Sequence, residues 1–414
     1  MSKITSTAAI LAIGSELLTG RTVDTNSAYI GSQLELLGFT VPLAVTCDDD
    51  APAIAEQVRN LLGEHDILIT CGGLGPTFDD VTRIAAADAL GVRLVRSEAA
   101  RASTLRYFER TGRQPTDSNE SQAYIPQGTE ALDNSIGSAA GFHFERDGHH
   151  LFCLPGIPSE MKQMFTSTVR PVLESMLDSE THVRRLEVFG TSESRISALI
   201  TNLDVPTGVR TAINASFGIK VCRFYTTNRN LFSTVDSLAD KLAASLGETV
   251  ISTDGRSLVE VVARQLKELS LTAGTCESCT AGLVGKMLTD LPGSSDYFSG
   301  SLVTYTNELK ANIGVSHASL IKHGAVSEHV ALQMASSARS KLGVDVAVST
   351  TGIAGPTGGS SDKPVGLVYV GYSGPDGGTF EKHIWGGNRH FNRMASTNAA
   401  LDLIRRRLRL EKKP

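Results

Sequence analysis

The chain has 414 residues, of which 39 are Lys or Arg and 44 are Asp or Glu, so its formal net charge is −5. With 41% apolar residues it can form the cores of about two to four domains, which excludes wholesale disorder. Its apolar stretches are far shorter than the roughly 20 residues that cross a bilayer, and the first residues lack a secretory signal pattern. We therefore expect a cytoplasmic protein with no membrane partner.

The six cysteines are scattered along the chain, so we expect reduced thiols and no disulfide framework. Cys276 and Cys279 form one C-x-x-C pair, but no second pair and no H-x-x-x-H motif follows. A structural zinc site needs about four ligands, so metal binding is not favoured there.

Strand-like and helix-like segments alternate along the first 170 residues. Short apolar runs predict strands at 8–13, 39–46, 66–71 and 151–154. Helical spacing of apolar residues predicts helices at 26–38, 51–62, 79–90 and 158–177. This alternation is typical of a parallel sheet covered by helices, with ligands bound at the carboxyl ends of the strands. The stretch between 90 and 151 is interpreted as irregular.

The rest of the chain divides into a small module and a second α/β region. Residues 184–249 predict an α+β module, interpreted as a spacer or dimerisation domain because it has no catalytic cluster and no G-x-x-G clamp of a KH module. Helices and strands alternate again from residue 258 onward. The predicted fold class is α/β, with two three-layer α/β domains whose sheets are rich in parallel strands, joined by the module. We place the domains at 1–172, 173–252 and 253–414.

A glycine-rich turn, residues 72–77, follows the third predicted strand and precedes a helix. Glycine amides at a strand end can approach a phosphate, and the helix N-terminus favours an anion. The turn is not a Walker loop, because no Gly-Lys-Ser/Thr follows. Thr77 and Asp80 also have the spacing of a capping box with Asp in place of Glu, so an ordinary helix cap remains the alternative for Asp80.

Carboxylates stand just after three of the predicted strands. Glu16 follows the first strand, Asp79 and Asp80 follow the third, and Glu160 follows the last. Carboxylates beside a phosphate cradle repel a pyrophosphate unless a divalent cation lies between them, so these four residues predict a magnesium-type site. We expect the following residues to bind substrate beside it: Gly72, Gly73, Gly75, Thr77, Asn26 and Gly156.

These motifs resemble the molybdopterin-binding-type domain of CinA proteins. The likeness covers about the first 170 residues and rests on segments 14–20, 24–26, 72–80, 119–123 and 154–160, in that order. It implies hydrolysis of ADP-ribose to AMP and ribose 5-phosphate, with a divalent metal as the cofactor. Ala140 is a departure, since family members often have proline there.

In the last region, Ser294 and Ser295 precede one predicted strand and Lys310 follows it. A serine and a lysine brought together at the mouth of an α/β sheet can act as nucleophile and base, if burial or a nearby cation lowers the lysine pKa. The alternatives are a serine that caps a turn and a lysine in solvent.

Two other segments near the predicted strand ends suggest an anion site. The glycine-rich segment 352–356 offers backbone amides to an oxyanion or a phosphate. Arg389 and Arg393 are one helical turn apart, so both can grip one phosphate. The alternative is that both are solvated helix charges.

These elements resemble the C-terminal CinA domain, which is also found as stand-alone nicotinamide-nucleotide amidases. The likeness spans about 257–410 and rests on segments 277–280, 293–295, 305–310, 324–327 and 352–356. It implies that Ser295 is the nucleophile and Lys310 its base. If Ser295 is not the nucleophile, Ser278, at the neighbouring strand end, is the next candidate. The other expected site residues, catalytic or substrate-binding, are Tyr305, Ser278, Thr280, Thr351, Gly352, Arg389 and Arg393. No cofactor is expected for the amidase.

The resemblance implies a homodimer that deamidates nicotinamide mononucleotide and hydrolyses ADP-ribose. The alternative is a non-catalytic scaffold protein of DNA uptake or repair. Nucleic acid is not the expected partner, because the net charge is negative and the basic run Arg405–Arg407, with Lys412 and Lys413, fits cations at a helix C-terminus.

Overall fold

The computed structural model describes residues 7–177 and 181–411, with side chains up to residue 409. The chain forms two compact units, one containing residues up to 181 together with 227–229, and the other containing 182–226 and 230 onward. Within the described residues, no helix has the length and apolar character needed to traverse a bilayer. Lys412 and Lys413 of the predicted basic tail lie outside the described residues.

The first unit is built on one large sheet. Its strands are β1 (Thr7–Ile13), β2 (Thr40–Cys47), β3 (Ile67–Cys71), β4 (Leu94–Arg96), β5 (Tyr124–Pro126), β6 (Glu130–Leu132), β7 (Gly141–Arg146) and β8 (His149–Leu154). Its helices are α1 (Ser15–Leu18), α2 (Thr25–Leu37), α3 (Ala51–Glu64), α4 (Thr82–Ala89), α5 (Glu98–Thr111), α6 (Pro158–Met164) and α7 (Arg170–Ser175). A π-helical turn, Phe165–Val169, joins α6 to α7.

The large sheet has the order β2-β1-β3-β8-β7-β6. Strands β2, β1, β3 and β8 are parallel, and β7 and β6 add antiparallel strands at one edge. Buried clusters lie on both faces of the sheet, as the near-continuous apolar strands predict. The parallel arrangement brings the carboxyl ends of β1, β3 and β8 to the same edge.

Local sequence signals explain where the helices of this unit begin and end. Asp24 caps α2 by accepting a hydrogen bond from Ser27 N at 2.9 Å, and Gly38 ends that helix with φ 98°, in the left-handed region. The interpretation of residues 90–151 as irregular is wrong, because they contain α5 and several strands. Helix α5 buries only small or polar side chains, Ala100, Ser103 and Thr104, so it has no apolar stripe to reveal it.

The small module lies in the second unit. It contains the strands β9 (His182–Phe189), β10 (Arg210–Ser216), β11 (Ile219–Thr226) and β12 (Val250–Ser252), and the helices α8 (Glu193–Thr201) and α9 (Phe232–Leu246). Its antiparallel sheet has the order β10-β11-β9-β12, and a buried apolar cluster joins sheet and helices. The predicted α+β character of this module is confirmed.

The remainder of the second unit is a three-layer α/β domain. Its strands are β13 (Ala273–Glu277), β14 (Phe298–Val303), β15 (Val346–Gly352), β16 (Leu367–Gly374) and β17 (Gly377–Ile384). Its helices are α10 (Leu258–Leu269), α11 (Leu283–Thr289), α12 (Asn307–Asn312), α13 (His317–His323), α14 (Glu328–Leu342) and α15 (Arg389–Glu411). The sheet order is β14-β13-β15-β16-β17, with the first three strands parallel. The predicted α/β fold class is confirmed.

The module and this last domain share one apolar core. Phe189 and Ile251, from the module, belong to the buried cluster that α10, α11 and α15 form against the sheet. Arg405 on α15 is fully buried and donates hydrogen bonds to Val250 O at 2.9 Å and Glu248 O at 2.7 Å. Arg405 is therefore a structural cation that ties α15 to the module, not part of an exposed basic tail.

Candidate active sites

The turns that follow β1, β3 and β8 surround a cleft of about 500 Å³. The structure brings together the four carboxylates of the predicted metal site and most of the predicted phosphate cradle. The predicted residues that line the cleft are Glu16, Asp79, Asp80, Glu160, Gly72, Gly73, Gly75, Thr77 and Gly156. Their convergence follows directly from the parallel pairing of β1, β3 and β8.

Asp80 closes the glycine-rich loop on itself. Its Oδ1 accepts a hydrogen bond from Gly75 N at 2.7 Å, and its Oδ2 accepts from Thr77 N at 2.8 Å and from Thr77 Oγ1 at 2.6 Å. Helix α4 begins only at Thr82, so Asp80 does not cap that helix as the capping-box alternative supposed. A Cβ atom at Gly75 would clash with the Asp80 carboxylate, which explains the glycine there.

Glu160 lies opposite this loop, near the start of α6. Asn134 Nδ2 donates to its Oε2 at 2.7 Å. Burial raises the pKa of Glu160 above its ordinary value, and the hydrogen bond from Asn134 opposes that shift without cancelling it. Sequence reasoning missed Asn134, because it lies in the segment interpreted as irregular and belongs to no recognisable motif.

Asn26, predicted to bind substrate, contacts residues around the cleft. Its Nδ2 donates to Gly156 O at 2.7 Å and to Cys71 Sγ at 3.1 Å. These bonds tie the start of α2 to the end of β3 and to the turn that follows β8. Asn26 therefore supports the shape of the cleft.

The donor set of the cleft is compatible with a divalent cation shared with a substrate. Within residues 7–177 and 181–411, no three Asp, Glu, His or Cys side chains are close enough to hold a metal ion on their own. Magnesium at nucleotide sites usually takes one or two protein carboxylates and completes its shell with phosphate oxygens and water. Carboxylates such as Glu160 and Asp79 beside glycine amides suit that arrangement.

The second site lies at the carboxyl ends of β13, β14 and β15. Lys310, on α12, is 1% exposed, and its Nζ lies 2.9 Å from Ser278 Oγ. Nζ also donates to Thr304 O at 2.8 Å and to Tyr305 O at 3.3 Å. Burial lowers the pKa of Lys310 below its ordinary value of 10.5.

Glu277, the buried carboxylate beside Ser278, is bound by backbone amides and by Thr280 Oγ1. Within the part of the chain that the structure describes, no carboxylate forms an ion pair with Lys310. The thiols of Cys276 and Cys279 are neutral near pH 7, because burial raises the pKa of each to about 11. Burial therefore makes the neutral amine more accessible than it is for a lysine in water.

The three oxygen partners of Lys310 suit both protonation states, because an ammonium donates to all three and a neutral amine donates to two and turns its lone pair to the third. A neutral amine has two N–H groups and one lone pair, whereas an ammonium has three N–H groups. Two carbonyl oxygens, from Thr304 and Tyr305, can take the two N–H groups. The lone pair then faces Ser278 Oγ and can accept its proton, which is the arrangement of a nucleophile and its base.

The expected pairing of Ser295 with Lys310 is wrong. Ser295 is exposed in a short 3₁₀ turn, Ser294–Asp296, which precedes β14, whereas Lys310 follows that strand. A strand of six residues spans about 20 Å, so the two side chains lie at opposite ends of β14. Ser278, the alternative candidate, directly follows β13 at the same sheet edge as Lys310.

The sequence did carry a signal for Ser278. Ligands of parallel sheets bind at the carboxyl ends of the strands. Ser278 follows a predicted strand, whereas Ser295 precedes one, so that rule already favoured Ser278.

The loop that carries Ser278 is anchored by the residue before it. Glu277 is fully buried, and its carboxylate accepts hydrogen bonds from Gly282 N at 2.8 Å, Val284 N at 3.1 Å and Gly285 N at 2.9 Å. These amides are at the N-terminus of α11, where a negative charge is favoured. Thr280 Oγ1 also donates to Glu277 Oε2 at 2.7 Å, so Thr280 is part of this anchor and not an exposed substrate ligand.

The two arginines of α15 have different roles. Arg393 donates from Nε to Cys279 O at 3.1 Å and from Nη2 to Thr280 O at 2.8 Å, so it holds the Ser278 loop. Arg389 is exposed, and it contacts Gly355 O at 2.9 Å and Tyr305 OH at 3.1 Å. Because these contacts use only two of its five N–H groups, Arg389 retains donors for a phosphate.

Two other predicted ligands serve the scaffold. Thr351 is buried and donates to Ala325 O at 2.7 Å. Gly352 ends β15 and packs so closely that a Cβ atom would clash with Leu367 O and Val368. Both residues shape the sheet edge beneath the site.

The chain matches two family models, the CinA C-terminal domain over residues 255–408 and the probable molybdopterin binding domain over residues 9–175. It is 38% identical to a CinA-like protein of Geotalea uraniireducens, with 97% of each chain covered. It is 40% identical to a CinA-like protein of Geobacter metallireducens and 36% identical to one of Desulforapulum autotrophicum, with 97% of this chain and 98% of each relative covered. Since these matches extend over nearly the whole length, the chain belongs to the CinA family.

Proposed function

We propose that the last domain is an amidase that converts nicotinamide mononucleotide to nicotinate mononucleotide and ammonia. The observation that carries this proposal is the buried Lys310 Nζ 2.9 Å from Ser278 Oγ. Attack on an unactivated amide needs an activated oxygen nucleophile, and this pair supplies one. Ser278 is the nucleophile and Lys310 is the base.

In the first half-reaction, Ser278 Oγ attacks the carboxamide carbon while its proton passes to the lone pair of Lys310. The C–N bond of the tetrahedral intermediate then breaks, and Lys310 returns the proton to the departing nitrogen, which leaves as ammonia. A water molecule attacks the resulting ester with Lys310 again as base. The products are the free carboxylate and the regenerated Ser278 hydroxyl.

The arginine on the rim supports a phosphorylated substrate. Arg389 is exposed at the start of α15 and is oriented by Gly355 O and Tyr305 OH. A guanidinium with unused N–H donors matches the oxygens of a phosphate monoester. The Tyr305 ring, 56% exposed beside it, offers an apolar surface for the pyridine ring.

For the first unit we propose hydrolysis of ADP-ribose to AMP and ribose 5-phosphate. The specific observation in its favour is the cleft that the glycine-rich loop and four carboxylates line. One or two of the carboxylates Glu16, Asp79 and Glu160 would hold a divalent cation together with the substrate, and the cation would neutralise the pyrophosphate. Asp80 keeps the glycine loop in the shape that accepts a phosphate.

One experiment tests both activities. Purified protein is incubated with each nucleotide, with and without a chelator, and ammonia and AMP are measured separately. We expect ammonia from nicotinamide mononucleotide in either condition, and AMP from ADP-ribose only without chelator. Failure to form either product, together with stoichiometric DNA binding, would instead favour the scaffold alternative.

A further inference from the structure

The tip of the β10–β11 hairpin holds an aromatic residue in an unfavourable backbone conformation. Ser216 pairs with Ile219, so Phe217 and Gly218 form a two-residue turn. Both have positive φ, 46° for Phe217 and 87° for Gly218. Asn-Gly is the favoured pair for such a turn, and a bulky residue at the first position is strained. The Phe217 side chain therefore has a role that offsets this cost.

Phe217 packs against the first turns of α15. Its ring meets His390 edge-to-face at 5.1 Å between centroids and lies 6.1 Å from the Phe391 ring. Its carbonyl oxygen accepts a hydrogen bond from Asn398 Nδ2 at 2.9 Å. Phe391 and Asn398 are seven residues apart, so they share one face of the helix over two turns.

The same two turns of α15 carry the arginines of the amidase site. Arg393 holds Cys279 O and Thr280 O, the carbonyls of the two residues that follow Ser278. A continuous path of contacts therefore runs from Phe217 through α15 to the Ser278 loop. The first turn of a helix has few internal hydrogen bonds to fix its position, so packing from outside has a large influence there.

We propose that the hairpin of the small module positions the amidase site, and that Phe217 is a positioning residue that acts through α15. This inference rests on the proposed amidase function of Ser278 and Lys310. It gives the module a role beyond that of a spacer or dimerisation domain. A small displacement of α15 moves Arg389 and Arg393 together, so both the substrate and the nucleophile lose their alignment.

The test compares three single variants of the full-length protein. Phe217→Asn removes the ring but suits the turn, so it retains the hairpin. Phe217→Tyr keeps the ring, and Ser216→Ala changes an exposed neighbour of the same hairpin. We expect kcat for nicotinamide mononucleotide to fall about 10- to 100-fold in Phe217→Asn and to stay near wild type in the other two.

Two further measurements separate positioning from a general loss of stability. The kcat for the phosphate-free nicotinamide riboside is expected to fall by the same factor, because the Ser278 loop itself has moved. Hydrogen exchange of the amides of residues 279–285 is expected to accelerate in Phe217→Asn, while exchange in β16 stays unchanged.

The outcomes distinguish this inference from the proposed function. If the wild type is active and Phe217→Asn has the same kcat, the positioning role of Phe217 is refuted. If the wild type releases no ammonia, the proposed amidase function is refuted. The hydrogen-exchange measurement then tests alone whether Phe217 holds the Ser278 loop through α15. Unchanged exchange at residues 279–285 would contradict that link.

Discussion

The side-chain nitrogen of Lys310 lies 2.9 Å from the hydroxyl oxygen of Ser278, although 32 residues separate them in the chain. The two residues follow the neighbouring parallel strands β14 and β13, which bring them to one sheet edge. Glu277 and Arg393 fix the loop on the serine side, and two carbonyls orient the lysine side. This pair is thus built from three separate segments of the last domain.

The first prediction concerns the identity of the nucleophile. Ser278→Ala, Lys310→Ala and the double variant should lose ammonia release to a similar extent, by at least about 10²- to 10⁴-fold, because a nucleophile and its base act as a unit. Ser295→Ala is the matched control and should keep near wild-type activity, since Ser295 is exposed at the far end of β14. Ammonia release from nicotinamide mononucleotide is the measurement. A Ser278→Ala variant with wild-type turnover would refute the assignment.

The second prediction concerns the pH dependence of the amidase. Lys310 acts as a base only when neutral, so kcat should rise with pH through its pKa in the folded protein and fall below it. Burial lowers this pKa, so the rise should occur below the ordinary value of 10.5. The measurement is a pH profile of kcat. A rise centred at or above 10.5 would show that the lysine is not activated by its site.

The lowered pKa of Lys310 also leads to a prediction about the thermal stability of the Lys310→Met variant. Between the folded-state pKa and 10.5 the unfolded chain binds more protons than the folded chain, so the wild type gains stability as pH rises in this window. At neutral pH, replacement by an apolar side chain of similar length removes the cost of burying a charge. Lys310→Met should therefore be inactive yet unfold at an equal or higher temperature than wild type near pH 7.

Much of the fold follows from the sequence, for physical reasons that can be named. Buried parallel strands such as β1 and β3 are continuous apolar runs, and glycines punctuate their ends. The cleft was predictable for the same reason, because Glu16, Asp80 and Glu160 each follow a strand of one parallel sheet. Helix α5 could not be predicted, since its buried face is made of small and polar residues.

The sequence predicts at which sheet edge a side chain lies better than it predicts which groups that side chain contacts. Arg389 and Arg393 have identical spacing signals, yet Arg389 is exposed beside Tyr305, whereas Arg393 is half-buried and holds two carbonyls of the Ser278 loop. Sequence spacing places side chains on one helix face, but it does not tell which loop approaches that face. Likewise, Asn134 contacts Glu160 across 26 residues without any local pattern.

The third prediction separates the roles of the two arginines. Arg389→Ala should raise KM for nicotinamide mononucleotide about 10- to 100-fold, since a hydrogen bond to a charged group contributes about 1.5–3 kcal/mol. It should have little effect on nicotinamide riboside, which lacks the phosphate. Arg393→Ala should instead lower kcat for both substrates, because it releases the Cys279 and Thr280 carbonyls. Steady-state kinetics with the two substrates make the comparison, and equal losses in KM for both arginine variants would contradict it.

The last prediction concerns the cleft of the first unit. Glu160→Gln keeps the size of the side chain and one oxygen for Asn134 Nδ2, but it removes the charge that a cation needs. We expect this variant to require a higher magnesium concentration for AMP release from ADP-ribose, while ammonia release is unchanged. The control is Asp88, an exposed residue of the same unit that pairs with Arg59. Asp88→Asn removes a carboxylate that does not line the cleft and should leave both activities unchanged.

The pH dependence of AMP release follows from the same residue. Burial raises the pKa of Glu160 above its ordinary value of 4.5, so the carboxylate becomes protonated at a higher pH than an exposed one. AMP release should therefore fall as pH decreases through that raised pKa, and added magnesium should move the midpoint to lower pH because cation and proton compete for the carboxylate. A midpoint that does not respond to magnesium, or full AMP release in excess chelator, would show that Glu160 holds no cation during turnover.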